Sequence, residues 1–217
     1  GEPYYNLGLS LKMQGRCREA FDAFYKAVWN AAWQDAAYFE LARLAARFGD
    51  DAQALELADN ALRHNGSHHQ ARHLKIALLR RLGRKDEALK KAALALELDV
   101  MDFGVMWERQ RLAGDDSFTR LARGNANTYV EVALDYLHAG LFDDAIALLD
   151  ASPKRDPLGI YFLAGCHWQK GDRPRAMETF TQAAAMPPDY CFPHRLESVL
   201  ALQGAMKVNP ADARAPY

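Results

Sequence analysis

The sequence predicts an all-α protein built from stacked helix-turn-helix pairs, and two observations predict it. Gly15, Gly49 and Gly83 lie 34 residues apart, and an alanine stands five residues after each, at Ala20, Ala54 and Ala88. The same glycine–alanine pair returns at Gly140/Ala145 and Gly171/Ala176. A fixed period of this length marks a repeat architecture in which each unit is one supersecondary element.

The residues around each glycine justify the two helices of a unit. Eight residues before it stand Leu7, Leu41, Lys75, Val132 and Leu163, and seven before stand Gly8, Ala42, Ile76, Ala133 and Ala164. Four before stand Leu11, Ala45, Leu79, Tyr136 and His167. Apolar and small residues three and four apart make one face of a first helix. Glycine then permits the left-handed cap that ends it. Nine residues after come Phe24, Ala58, Ala92, Leu149 and Phe180, and twelve after come Ala27, Ala61, Ala95, Ser152 and Ala183, the face of a second helix. Pro157 and Pro188 fall seventeen after their glycines, where that helix should stop. A single pair cannot bury its apolar face, so neighbouring pairs must stack.

Taken in order, residues 1–100 hold three regular units, with Arg72 and Lys75 at positions of the third that are apolar elsewhere. This exception predicts a register adjustment or an exposed edge. The step from Gly83 to Gly140 is 57 residues, 23 more than the period. Residues 101–125 are therefore expected to form a degenerate, shortened helical pair, with Asp116 or Ser117 capping its second helix. Two further units fill 126–190, and 191–217 adds a terminal helix and the start of a truncated repeat. Ala215-Pro216-Tyr217 resembles Glu2-Pro3-Tyr4, and no signal peptide is visible, so we expect a segment of a larger protein, cytoplasmic in location.

The run Tyr4-x2-Leu7-Gly8-x2-Leu11-x8-Ala20-x3-Phe24-x2-Ala27 resembles the tetratricopeptide repeat (TPR), and the likeness covers about five units. It implies a TPR-type solenoid, a right-handed superhelix with one irregular repeat in the middle. Four stretches resemble a narrower group. They are Tyr4 to Leu9, Asp22 to Ala27 with Trp29 and Trp33, Ala77 to Arg84, and Pro187 to Pro193. This group is the C-terminal TPR part of large bacterial proteins whose β-rich domain of unknown function is similar to carbohydrate-active folds. That likeness implies a sugar-processing activity outside this segment, with the repeats as an accessory region.

TPR proteins bind partners along the face lined by first helices. The phase of the repeat puts Tyr5, Leu9 and Lys12 there, then Phe39, Arg43 and Ala46, then His73, Ala77 and Arg80. The later units add Val130, Leu134, His138, Tyr161 and Trp168. Aromatic residues and arginine dominate recognition energies, so a hydrophobic or mildly acidic peptide suits this set. The alternative is that these aromatics pack against the next repeat. The basic clamp that holds acidic chaperone tails in some TPR proteins is not expected, because its positions hold Tyr5, Leu9, Glu40, Gln70 and Leu74.

Other chemistry is not indicated. His69 and His73 are four apart, as helical zinc ligands are, but no carboxylate or cysteine accompanies them, and a solvated turn with capping roles explains His64 to His73. No cofactor or metal is expected. Twenty-seven basic against 28 acidic residues leave no bulk field for nucleic acid, and the cluster from Arg80 to Lys85 suits a helix C-terminus. No apolar run approaches the ~20 residues of a membrane helix. Asp115-Asp116 and Asp143-Asp144 fit helix starts, and Cys166 and His167 are neighbours that point apart. We expect a non-catalytic scaffold that binds an unknown protein or peptide, or another domain of the same polypeptide. A structural spacer or oligomerisation surface is the remaining alternative.

Overall fold

The structure is a computed structural model that describes residues 1–189, 191–210 and 212. Among the described residues it is all-helical. Helices α1 (Glu2–Met13) and α2 (Cys17–Ala27) form the first pair, α3 (Gln34–Arg47) and α4 (Asp51–His64) the second, and α5 (His69–Arg81) and α6 (Lys85–Leu98) the third. After them come α7 (Phe103–Ala113) and the short α8 (Ser117–Ala122). Helices α9 (Ala126–His138) and α10 (Phe142–Asp150) form the next pair, and α11 (Pro157–Lys170) and α12 (Arg173–Ala185) the one after it, with α13 (Leu196–Val208) last. The start of a further repeat expected after Asn209-Pro210 lies largely outside the described residues.

The chain divides into two compact units, Gly1–Thr119 with His138–Gly140, and Arg120–Leu137 with Leu141–Tyr217. In the first unit each pair is antiparallel, and the next first helix lies on the second helix before it: α3 on α2, α5 on α4, α7 on α6. In the second unit α11 lies on α10 in the same way.

The repeat positions take equivalent places. Gly15, Gly49, Gly83, Gly140 and Gly171 all have φ between 72° and 85°, the left-handed region where a Cβ is costly. The alanines five residues later, Ala20, Ala54, Ala88, Ala145 and Ala176, are completely buried. Phe24, Ala58, Ala92 and Phe180 form the second-helix core beside them, with Leu149. Leu41, Val132 and Leu163 are buried, whereas Leu7 on α1 is exposed.

Several expectations need correction. Pro157 does not end a helix. It opens α11, where its missing N–H costs nothing, and Asp156 accepts the Gly159 N–H at 2.7 Å. The carboxylate at the start of α8 belongs to Asp115, which takes both the N–H and the hydroxyl of Ser117. The third unit keeps its register, with Ile76 and Leu79 buried. Its polar exceptions find acidic partners instead: Lys75 bonds Asp59 on α4, and Arg72 lies 3.7 Å from the Asp102 carboxylate that caps α7.

Close approach explains one glycine that is not at a turn. A Cβ on Gly8 would sit 2.7 Å from the buried Phe24 ring. Gly8→Ala should therefore destabilise the first pair by about 1–3 kcal/mol through overpacking. Gly165 lies inside α11, and a Cβ there meets nothing within 4 Å. Gly165→Ala should stabilise by about 0.5–1 kcal/mol. Urea unfolding of both variants checks the pair of opposite signs.

Candidate functional site

The first-helix face of the first unit begins at α1. Tyr5 lies against Trp33 and Phe24, with ring centres 4.9 and 5.5 Å away. Burial and the nearby Glu40 carboxylate raise its phenol pKa. Leu9 and Lys12 lie further along the same helix, both partly exposed. The Lys12 ammonium reaches across to Glu40 on α3 at 2.5 Å, and Arg43 bonds the other oxygen of Glu40 at 2.9 Å. The Arg43 guanidinium also covers the Phe39 ring at 4.0 Å, and Phe39 lies 4.4 Å from His68.

These groups fix one another's charge. Burial pushes the Glu40 carboxyl up, but Arg43 and Lys12 outweigh it and hold it below the usual glutamate range. Burial, together with Arg43 and Arg47, lowers the Lys12 ammonium against the opposing pull of Glu40. The carboxylate is thus the fixed point of the cluster, and two cations share it.

A second cluster of the same form lies on α5 and α7. Glu108 is fully buried, and the Arg80 guanidinium grips it with two bonds, at 2.6 and 3.2 Å. Arg111 approaches the same carboxylate at 3.8 Å and lies 5.9 Å from the Trp107 ring centre. Bidentate arginine–carboxylate pairs of this kind combine charge with fixed geometry. Between the clusters, His73 is buried against α7, where a Cβ on Gly104 would come within 2.6 Å of its ring.

The expected residues therefore divide. Tyr5, Leu9, Lys12 and Arg80 keep accessible surface on one face of the first unit. Phe39, Arg43 and His73 are buried beneath it, and His73 is not part of a solvated turn. The capping role expected nearby falls to His68, whose Nδ1 accepts the Ala71 N–H at 3.4 Å. Trp107, Glu108 and Arg111 belong to this face and were missed. They stand 34 residues after His73, Leu74 and Ala77, so the period carried through the insertion would have found them. The basic run is largely paired: Arg81 bonds Asp51 and Arg84 bonds Glu87.

In the second unit, Leu134 and Tyr161 are buried and Trp168 is partly exposed, and His138, which groups with the first unit, is partly exposed as well. The Arg173 guanidinium stacks on Trp168 at 3.4 Å. A cavity of about 10 Å³, room for one water, lies between α9, the end of α10 and α11. Among the described residues no group of three His, Cys, Asp or Glu side chains is placed to hold a metal ion. No helix among them is long and apolar enough to cross a membrane.

A tetratricopeptide repeat protein from Parabacteroides merdae has a similar structure, with a TM-score of 0.51 and 17% identity over 94% of this chain and 82% of that one. The chain has the TPR fold. A TPR protein from Thermus thermophilus is 18% identical over 99% of this chain and 98% of that one, with a TM-score of 0.46. YrrB, a TPR protein with an unusual peptide-binding site, is 18% identical over 93% of this chain and 90% of that one, with a TM-score of 0.42. No protein-family model and no curated protein matches the sequence.

Within this TPR fold the Glu40 cluster sets a stability expectation. Glu40→Gln should cost about 3 kcal/mol, because it leaves buried Arg43 without its countercharge. Lys12→Met should cost less, about 1 kcal/mol, since its head is partly solvated and Glu40 keeps Arg43. A carboxylate with a depressed pKa stabilises above its unfolded pKa and stops doing so as pH falls through its folded one. The gap between wild type and Glu40→Gln should therefore be full at neutral pH and shrink below the usual glutamate range. Urea titrations across pH check both statements.

Cysteine chemistry gives another expectation. Cys166 is completely buried, and burial pushes its thiol up to about 12. Cys17 and Cys191 are partly exposed. A thiol reagent should label Cys166 only after unfolding, whereas Cys17 and Cys191 should react in the folded chain. Mass spectrometry of labelled peptides reads this out.

Proposed function

We propose that this chain is a non-catalytic protein-interaction scaffold whose first unit binds an acidic peptide or protein segment on its first-helix face. The observation that carries this reading is the gathering of basic side chains around two buried carboxylates on that face. Lys12 and Arg43 share one carboxylate, Glu40, and Arg80 and Arg111 share another, Glu108. Lys12, Arg80 and Arg111 are the members with side chains still reached by solvent.

Tyr5, Leu9 and Trp33 supply apolar surface beside the first cluster, all three partly exposed. Aromatic and arginine side chains at a partly desolvated surface are the usual source of binding energy. Fixed cations held by buried carboxylates are also pre-ordered, which lowers the entropy cost of binding.

A peptide library selected on the full chain should be enriched in Asp and Glu next to apolar residues. Lys12→Gln combined with Arg80→Gln should abolish that enrichment, and binding of selected peptides should weaken steeply with salt. Selection of neutral or basic peptides, or indifference to the double substitution, would refute the reading. Circular dichroism of the double variant confirms that its helices remain.

A further inference from the structure

Helix α13 does not sit where a next first helix sits. Elsewhere a first helix rests on the second helix before it, as α3 does on α2 and α11 on α10. Helix α13 rests chiefly on α11 and only marginally on α12. Its small and apolar residues Leu202, Ala205 and Val208 join a core with Ile160, Tyr161 and Ala164 of α11, and with Phe180 of α12. Tyr161 is one of the residues that the repeat phase assigns to the binding face.

Both ends of the segment are pinned by polar contacts to first helices. At the start, Arg195 donates to the Asn127 side-chain oxygen at 2.8 Å and pairs with Glu131, both on α9. At the end, the Tyr161 hydroxyl donates to the Asp212 carboxylate at 2.6 Å, in a buried contact. The segment thus lies across α9 and α11 in the manner of a bound ligand: one basic anchor, an apolar face, one acidic anchor.

The fit is incomplete. Ser198 is fully buried, and its hydroxyl finds no hydrogen-bond partner among the described residues. The Arg195 Nη1 is likewise buried without one. Buried polar groups left unsatisfied weaken an interface, so this seat is held less firmly than the repeat core.

We propose that α13 with residues 209, 210 and 212 is an intramolecular ligand of the second unit, and that its seat accepts in its place a partner helix of the same pattern. That pattern is an arginine, an apolar residue seven positions on, a small residue at ten, an apolar residue at thirteen and a carboxylate at seventeen, as in Arg195, Leu202, Ala205, Val208 and Asp212. The arginine engages Asn127 and Glu131, and the carboxylate accepts from Tyr161. The occupant is thus a helical protein segment, and α13 is its resident competitor. The acidic-ligand reading of the first unit plays no part in this inference.

The test uses the full chain and a fluorescent synthetic peptide of residues 194–212. Arg195→Ala with Asp212→Asn in the chain removes both anchors of the resident helix while leaving its seat intact. The peptide should bind this double variant roughly tenfold or more tightly than wild type, because a larger fraction of the seat is open. A peptide carrying the same two substitutions should bind neither chain. Equal affinity for the two chains, no binding to either, or equal binding of the substituted peptide overturns the proposal. If the double variant loses its helical circular dichroism, hydrogen exchange of the wild-type chain decides instead. Peptide at millimolar concentration, comparable to the effective concentration of the tethered helix, should speed exchange in 196–208 and leave α10 to α12 unchanged. An unchanged rate in 196–208 overturns the proposal as well.

Discussion

Everything in this molecule depends on how closely two helices approach at the corner of each hairpin. The distance between helix axes is set by the side chains at the contact. Here those are alanines, Ala20, Ala54, Ala88, Ala145 and Ala176, with no accessible surface at all. Gly8 carries the same logic to its limit by packing directly on the Phe24 ring. A core made of small residues loses little when a side chain is shortened. It suffers when one grows, because rigid helix backbones stand where the extra atoms must go.

Given that geometry, the polar groups have few options. First helices lie side by side with their long side chains on one face, and the charges there must be satisfied by neighbours. Glu40 and Glu108 do this by drawing cations from two helices each. The arrangement ties α1 to α3 and α5 to α7 across the stack. It also keeps the Lys12, Arg80 and Arg111 side chains partly within reach of solvent on that face.

The sequence revealed what repeats and concealed what does not. The glycine corners and alanine contacts were legible because one period carries the same residue class five times over. The same period puts Tyr5, Lys12, Phe39 and Arg43 in phase on the first helices, but it does not give their burial. Phe39 and His73 are covered by neighbouring helices, and phase alone gives direction without depth. The Arg80–Glu108 pair was missed because its partner lies in the irregular segment 101–125, where the spacing of corners breaks although the 34-residue step from His73 to Trp107 survives. Pro157 was misjudged because proline is favoured just after a helix and equally at the first position of the next. The seat of α13 had no sequence signal, since no other segment of the chain repeats it.

The placement of α13 also sets a scale for any partner of the second unit. A segment joined to its own receptor by a short chain acts as though present at millimolar effective concentration, however dilute the protein. An outside helix with the same contacts matches that in free solution only at comparable, millimolar concentration. Below that concentration it would succeed only if held nearby, clustered on a multivalent assembly, or better made for the site of the buried Ser198 hydroxyl than Ser198 is. Occupancy of this face therefore reports proximity more than abundance.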